Sequence, residues 1–133
     1  VTVSVKITMD GLPKLVRALS SMTPERNARI LTMPMREWAI DTQMISKDQY
    51  LTGPRPQKLG VVTGRLRSSI GIDLLGVPRF VDVGTDVVYG PTHEFGDPSR
   101  NIPARPFLRP AAEEAFAHFE TDLLESWERE VSR

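Results

Sequence analysis

Chemistry in a chain without cysteine has to come from histidines, carboxylates, hydroxyls or bound groups, and this sequence has two histidines, His93 and His118. His93-Glu94 is the first half of a zinc-protease helix pattern, which needs a second histidine one turn further on the same face. That position is Asp97, so the pattern fails. His118 stands beside an apolar helical stripe, where a histidine packs or faces solvent far more often than it serves as a base or ligand. Asp82, Asp86, Glu94 and Asp97 are close in sequence. They form a candidate carboxylate cluster for metal binding or acid-base work, and with His93 a candidate metal-dependent hydrolase. Acids at strand ends and turns are common for structural reasons, and this is the third-ranked reading.

Gly60-Val61-Val62-Thr63-Gly64 lacks the lysine and Ser/Thr that a phosphate loop requires, and no G-x-S-x-G elbow is present. With no catalytic, cofactor or metal site emerging, the chain is expected not to be an enzyme and to need no cofactor. Between Leu51 and Ile70 every charge is basic: Arg55, Lys58, Arg65 and Arg67. Such side chains can neutralise phosphates without reading base sequence, so a small nucleic-acid-binding domain built on residues 55–67 is the runner-up function. The segment lacks the interleaved aromatics of a single-strand binder, and the net charge of the chain is zero. Acids dominate from Glu113 to Glu130. The plain account of both segments is two solvated faces. Arg100, Arg105 and Arg109 sit among prolines and suit ion pairs within or between subunits.

The elements that must position these residues are legible from hydrophobic periodicity. Val1, Val3, Val5 and Ile7 alternate with polar residues, the period-2 signature of a strand buried on one face. Leu12, Leu15, Val16 and Leu19 predict a short helix from Asp10 to about Met22. Thr23-Pro24-Glu25 combines a cap, a proline at the first helical position and an acid in the first turn. The stripe Leu31, Met35, Trp38, Thr42, Ile45 then carries a long helix to about Tyr50, with a kink or break expected near Met33 because of Pro34. Thr63 to Ile70 suits a single turn. Segments Ser69–Gly76 and Arg79–Gly84 read as an antiparallel hairpin around Gly76-Val77-Pro78. Val87–Tyr89 fits a third strand, while Pro91 fits the start of a short helix. From Pro110 the residues Ala112, Ala115, Phe116, Phe119, Leu123, Trp127 and Val131 predict one long C-terminal helix.

A chain of 133 residues, 40% hydrophobic and 26% charged, is ordinary globular usage and suits a single domain over residues 1–133. The expected class is α+β: a small, mainly antiparallel sheet packed against a long kinked helix and a long C-terminal helix. Long loops fall at about 51–62 and 96–106, where prolines exclude regular structure. No apolar run approaches a membrane span, and Val1–Asp10 does not resemble a signal sequence, so a soluble, unsecreted protein with no membrane partner is expected.

Three segments, in order, resemble the virion morphogenesis and neck or tail-completion proteins of lambdoid and Mu-like tailed phages. They are Thr63-Gly64-Arg65-Leu66-Arg67-Ser68-Ser69-Ile70, then Val83-Gly84-Thr85-Asp86 through Tyr89 to His93-Glu94-Phe95-Gly96, then Ile102-Pro103-Ala104-Arg105-Pro106-Phe107-Leu108-Arg109-Pro110-Ala111. Asp97 stands where that family usually carries threonine, and the proline-rich stretch before Thr63 is shorter than in Mu-like members. The resemblance implies a structural virion protein at the head-tail junction, made in the host cytoplasm. It implies a ring, hexameric for preference and otherwise dodecameric, between a portal-side connector or head-closure protein and a tail terminator or tail tube protein. The family-motif residues are Thr63, Gly64, Leu66, Gly84, Tyr89, Glu94, Phe95, Gly96, Ala104, Arg105, Pro106, Phe107 and Leu108. Gly84 and Gly96 suit turns closed to a Cβ, and Tyr89 and Phe95 are candidates to pack on the hairpin. Arg55, Lys58, Arg65 and Arg67 are candidate nonspecific contacts to packaged DNA. Both long loops are expected to be mobile in the free subunit and ordered on docking.

Overall fold

The computed structural model of the chain describes residues 3–8, 20, 22–52 and 64–132. The helix expected between Asp10 and Met22 and most of the 51–62 loop lie outside the described residues. The fold is α+β, with a three-stranded antiparallel sheet in the order β1-β3-β2. Its strands are β1 (Val3–Thr8), β2 (Gly71–Asp73) and β3 (Phe80–Thr85). The helices are α1 (Pro24–Ile45), α2 (Arg65–Ser68), α3 (Gly90–Phe95), α4 (Arg109–Phe116) and α5 (Phe119–Val131).

Helix α1 starts as its sequence dictates: the Thr23 side chain accepts from Arg26 N at 3.2 Å, and Pro24 takes the first position, where no donor is needed. Ile30, Leu31, Met35, Trp38, Ala39 and Thr42 are buried along one face. They meet Val81 and Val83 of β3 on one side and Phe107, Leu108, Ala112, Ala115 and Phe119 on the other. The Trp38 indole donates to Ala112 O at 3.1 Å, so the largest side chain of the helix buries no unpaired donor. The Gln43 amide donates to Ile70 O at 2.7 Å and ties the helix to the entry of the hairpin. A π-helical turn, Ser46–Tyr50, ends the helix where the stripe ran out. The Tyr50 hydroxyl donates to the Glu114 carboxylate, which pushes the phenol up to about 12.

Of the kink or break expected near Met33, the break does not occur; α1 runs through Pro34 without interruption. A proline in a helix interior leaves the carbonyl four residues earlier without its partner, here Ile30 O. That carbonyl is taken up by the Ser126 hydroxyl of α5, donating at 2.6 Å in a buried contact. The defect in one helix thus becomes a tether to another.

The single C-terminal helix expected from Pro110 to Val131 is instead two. Ala117 N donates to Glu114 O and His118 N to Ala115 O, tight three-residue turns that separate α4 from α5. Val131 is 49% exposed, whereas Ser126 and Glu130 are buried. Stepping by four residues from Phe119 through Leu123 and Trp127 drifts about 40° per step around a helix of 3.6 residues per turn. Alternating steps of four and three, Phe119, Leu123, Ser126, Glu130, stay on the face toward α1. Buried Glu130 is paired there with Arg29 at 2.8 Å and Arg26 at 3.3 Å from the first turns of α1.

Within the sheet, β3 alternates half-buried and buried residues, with Val81, Val83 and Thr85 inward. Val5 of β1 pairs with Val83, and Ile72 of β2 pairs with Val83 from the other side. The turn between β2 and β3 contains a cis Val77-Pro78 peptide. Of the two expectations for residues 87–95, the short helix with Pro91 in its first turn is the one realised.

The Pro34–Ser126 relation gives a thermodynamic cycle. Replacing Ser126 by alanine orphans a buried carbonyl and is expected to cost about 1–3 kcal/mol in denaturant melts. In a Pro34→Ala background the restored amide supplies the partner, so the cost of Ser126→Ala should fall by at least about 1 kcal/mol. Additive effects would refute the coupling.

Candidate functional site

The three segments singled out by their sequence pattern come together in one hydrogen-bonded network. Gly64 has φ +77°, a left-handed conformation, and turns the chain into α2. Leu66 packs against the core and Ile70 lies within it. Ser69 closes the turn by donating to Leu66 O at 2.7 Å, and its hydroxyl meets that of Thr85 at 2.5 Å. Thr85 in turn accepts from Val87 N at 3.1 Å. The first segment is therefore joined through hydroxyls to the end of β3, where the second begins. Thr63 lies outside the described residues.

The second and third segments are joined by a carboxylate. Glu94, 5% exposed, accepts from Leu108 N at 2.8 Å, Phe107 N at 3.0 Å and Arg109 N at 3.3 Å. These amides open α4, whose cap position is Leu108, a residue with no side-chain acceptor. The first amides of a helix have no intrahelical partner and carry partial positive charge, so a carboxylate from elsewhere in the chain completes what the local sequence omits. Phe107 and Leu108, both fully buried, are held in the core by the same contact.

Gly96 makes this geometry possible. Its φ of +76° and ψ of 175° belong to a region open essentially to glycine, and a Cβ there would stand 2.8 Å from Ala104 N and 3.0 Å from Ile102 O. The chain beyond it folds back on itself. Asp97 and Ile102 exchange backbone hydrogen bonds at 2.8 and 2.9 Å, and Arg105 N donates to His93 O at 2.8 Å. The Asp97 carboxylate accepts from Ser99 N and Oγ and from Arg100 Nε, the Ser99 and Arg100 bonds holding its pKa below the usual carboxylate range. Residues 96–106 thus carry hydrogen bonds of their own and a bond back to α3.

Two further expectations are corrected. Gly84 lies inside β3, paired with Ser4 and Gly71 in extended backbone, and not in a turn. Phe95 does not pack on the hairpin; it is 69% exposed, the last residue of a helix whose inward residues are Gly90 and Glu94. Tyr89 is half-buried and meets the His93 ring edge-on at 5.7 Å. Ala104 and Pro106 are exposed, with Arg105 half-buried between them.

The candidate carboxylate cluster is not assembled. Asp82 pairs with Lys6 at 3.5 Å, Asp97 with Arg100 at 2.6 Å, Glu94 faces amides and Asp86 is exposed. Among the described residues no group of three or more His, Asp or Glu side chains is placed to hold a metal ion. Of the candidate DNA contacts, Arg67 donates to Lys47 O at 3.1 Å and to Asp48 Oδ1 at 3.0 Å, while Arg65 is exposed. Arg55 and Lys58 lie outside the described residues. No helix among the described residues is long and apolar enough to cross a membrane.

The role of Glu94 was missed from sequence, although a trace of it was visible. A helix opening Pro106-Phe107-Leu108-Arg109 offers no Ser, Thr, Asp or Asn as a cap, so its amides had to be satisfied from a distance. Comparison of the chain with family models, with curated proteins and with solved structures finds no match.

Glu94→Ala should lower the unfolding free energy by about 3 kcal/mol, with Glu94→Gln intermediate because one acceptor oxygen survives. Gly96→Ala should cost about 2 kcal/mol or more through strain at a positive φ. Chemical denaturation reads both, and a stability unchanged in Glu94→Ala would remove the carboxylate from its central place.

Proposed function

We propose that this chain is a structural virion protein of the head-tail junction of a tailed phage, a neck or tail-completion component. It joins a homo-oligomeric ring, sixfold for preference, that connects the portal-side connector to the tail terminator or tube. The observation that carries this proposal is the convergence of the three resembling segments on one network, in which Glu94, Gly96 and Phe107 hold the backbone in shape. Resemblance that includes residues setting the backbone's shape, Glu94, Gly96 and Phe107 among them, suits a protein whose work is to present a fixed surface to its neighbours.

A second observation is consistent with this. Leu75 is 95% exposed, Val88 80% and Phe95 69%, large apolar side chains of the kind that subunit contacts cover. A ring closes through heterologous contacts, in which two different patches of one subunit meet.

Phe95→Glu tests the proposal without disturbing the fold, because an exposed side chain contributes little to stability, about 0.5 kcal/mol or less. The expected outcome is an unchanged melting temperature together with particles that accumulate as filled heads and free tails, counted by electron microscopy. Normal yields of joined, infectious particles from phage lacking this chain altogether would overturn the proposal. Salt-sensitive binding of DNA by the isolated protein would favour a nucleic-acid-binding domain instead.

A further inference from the structure

The segment 97–105 is a strap fastened at both ends. At one end the Asp97–Ile102 pair of backbone hydrogen bonds closes it on itself, and Arg100 reaches Thr92 of α3 at 3.4 Å. At the other, Arg105 N donates to His93 O at 2.8 Å. Beyond it the chain is anchored independently, by Glu94 on the amides of residues 107–109.

His93 sits at the strap's second fastening, half-buried, with its ring against Tyr89. The cation that acts on the ring is Arg105, from the strap itself, and Arg105 Nε is buried with no hydrogen-bond partner among the described residues. The carboxylate of neighbouring Glu94 is committed to the amides of α4, and that of Asp97 to Ser99 and Arg100. No bond to either nitrogen of a charged imidazole is made by these acids. Burial first, and Arg105 second, hold His93 below its ordinary value of 6.5.

We propose that the His93–Arg105 junction is an acid-sensitive latch: a proton on the His93 ring places two like charges at the base of the strap and releases residues 97–105 from α3, while Glu94 keeps α4 anchored. The direction follows from linkage. Because the closed strap binds the proton less well than the open one, closure is fully favoured above the ordinary histidine value. It weakens as pH falls through that value toward the lower one of the closed state. The Asp97 carboxylate, already held low, stays charged through this window. The latch rests on geometry independent of any virion role.

Hydrogen exchange of the Arg105 amide, the strap amide bonded to His93 O, tests it in the full chain at pH 7.5 and pH 5, corrected for intrinsic rates. Protection of this amide is expected to fall about threefold or more on acidification, with α5 amides as the reference that does not change. In His93→Gln the fall should vanish, and in Arg105→Gln it should shrink, since burial still opposes the charge. Protection independent of pH in the unmodified chain, or an equal fall in His93→Gln, would overturn the latch. Loss of protection that extends equally to α5 would do so too, by making the event global unfolding.

Discussion

The carboxylate of Glu94 on the amides of residues 107–109 is the contact through which the two halves of this fold define each other. Helix α4 begins on Leu108, which has nothing with which to cap it, two residues after Pro106, which favours an extended approach at Arg105. Without an acceptor, several amides would be buried beside a hydrophobic core, each at a cost comparable to a lost hydrogen bond. Placing the acceptor on α3 makes the position of α4 depend on the end of the sheet, because α3 follows β3 with only a short turn between. The same contact seats Phe107 and Leu108, and through them α4 covers Trp38 on α1.

A comparable economy governs the pairing of α1 with the C-terminal helix. Pro34 removes a hydrogen bond from the interior of α1, and Ser126 fills the vacancy from α5. Glu130, one turn further along, takes Arg26 and Arg29. Glu130 is buried while both arginines reach it from a solvent-exposed side, so removing the arginines would leave a buried carboxylate without its cations, and the pairing constrains which register the helices adopt. The register of α5 on α1 is set by two polar side chains at the edge of an otherwise apolar seam.

These polar contacts leave much of the surface for other uses. The outward side of the sheet carries small and charged residues, with Lys6 set between Asp82 and the Phe80 ring. The large exposed apolar side chains among the described residues are distributed over α1 (Met33, Met44), the hairpin turn, Val88 and Phe95 at the two ends of the α3 region, and the outer side of α5. Residues 96–106, with their own internal hydrogen bonds, present a preformed outline instead of paying the ordering entropy on contact. For a subunit proposed to work by docking, hydrogen bonds that already shape that edge lower the ordering cost of contact.

The sequence by itself determined the class of the fold and most of its elements. The alternation around β1, the hairpin, the cap at Thr23 and the stripe of α1 each arise from local periodicity and backbone chemistry, which act within a few residues. It also carried the shape-setting motif residues and the lack of a histidine pair for zinc. Tertiary structure alone decided the rest. Whether Pro34 would break α1 depended on a hydroxyl 92 residues away, and whether Glu94 was an acid-base candidate or a helix cap depended on amides 13 residues downstream. The division of the last helix, and the exchange of Val131 for Glu130 on its inner face, followed from a turn whose register no hydropathy pattern records. Hydrogen-bond donors and acceptors left over by one segment are satisfied by whichever segment packs beside it, and that adjacency exists only once the chain is folded.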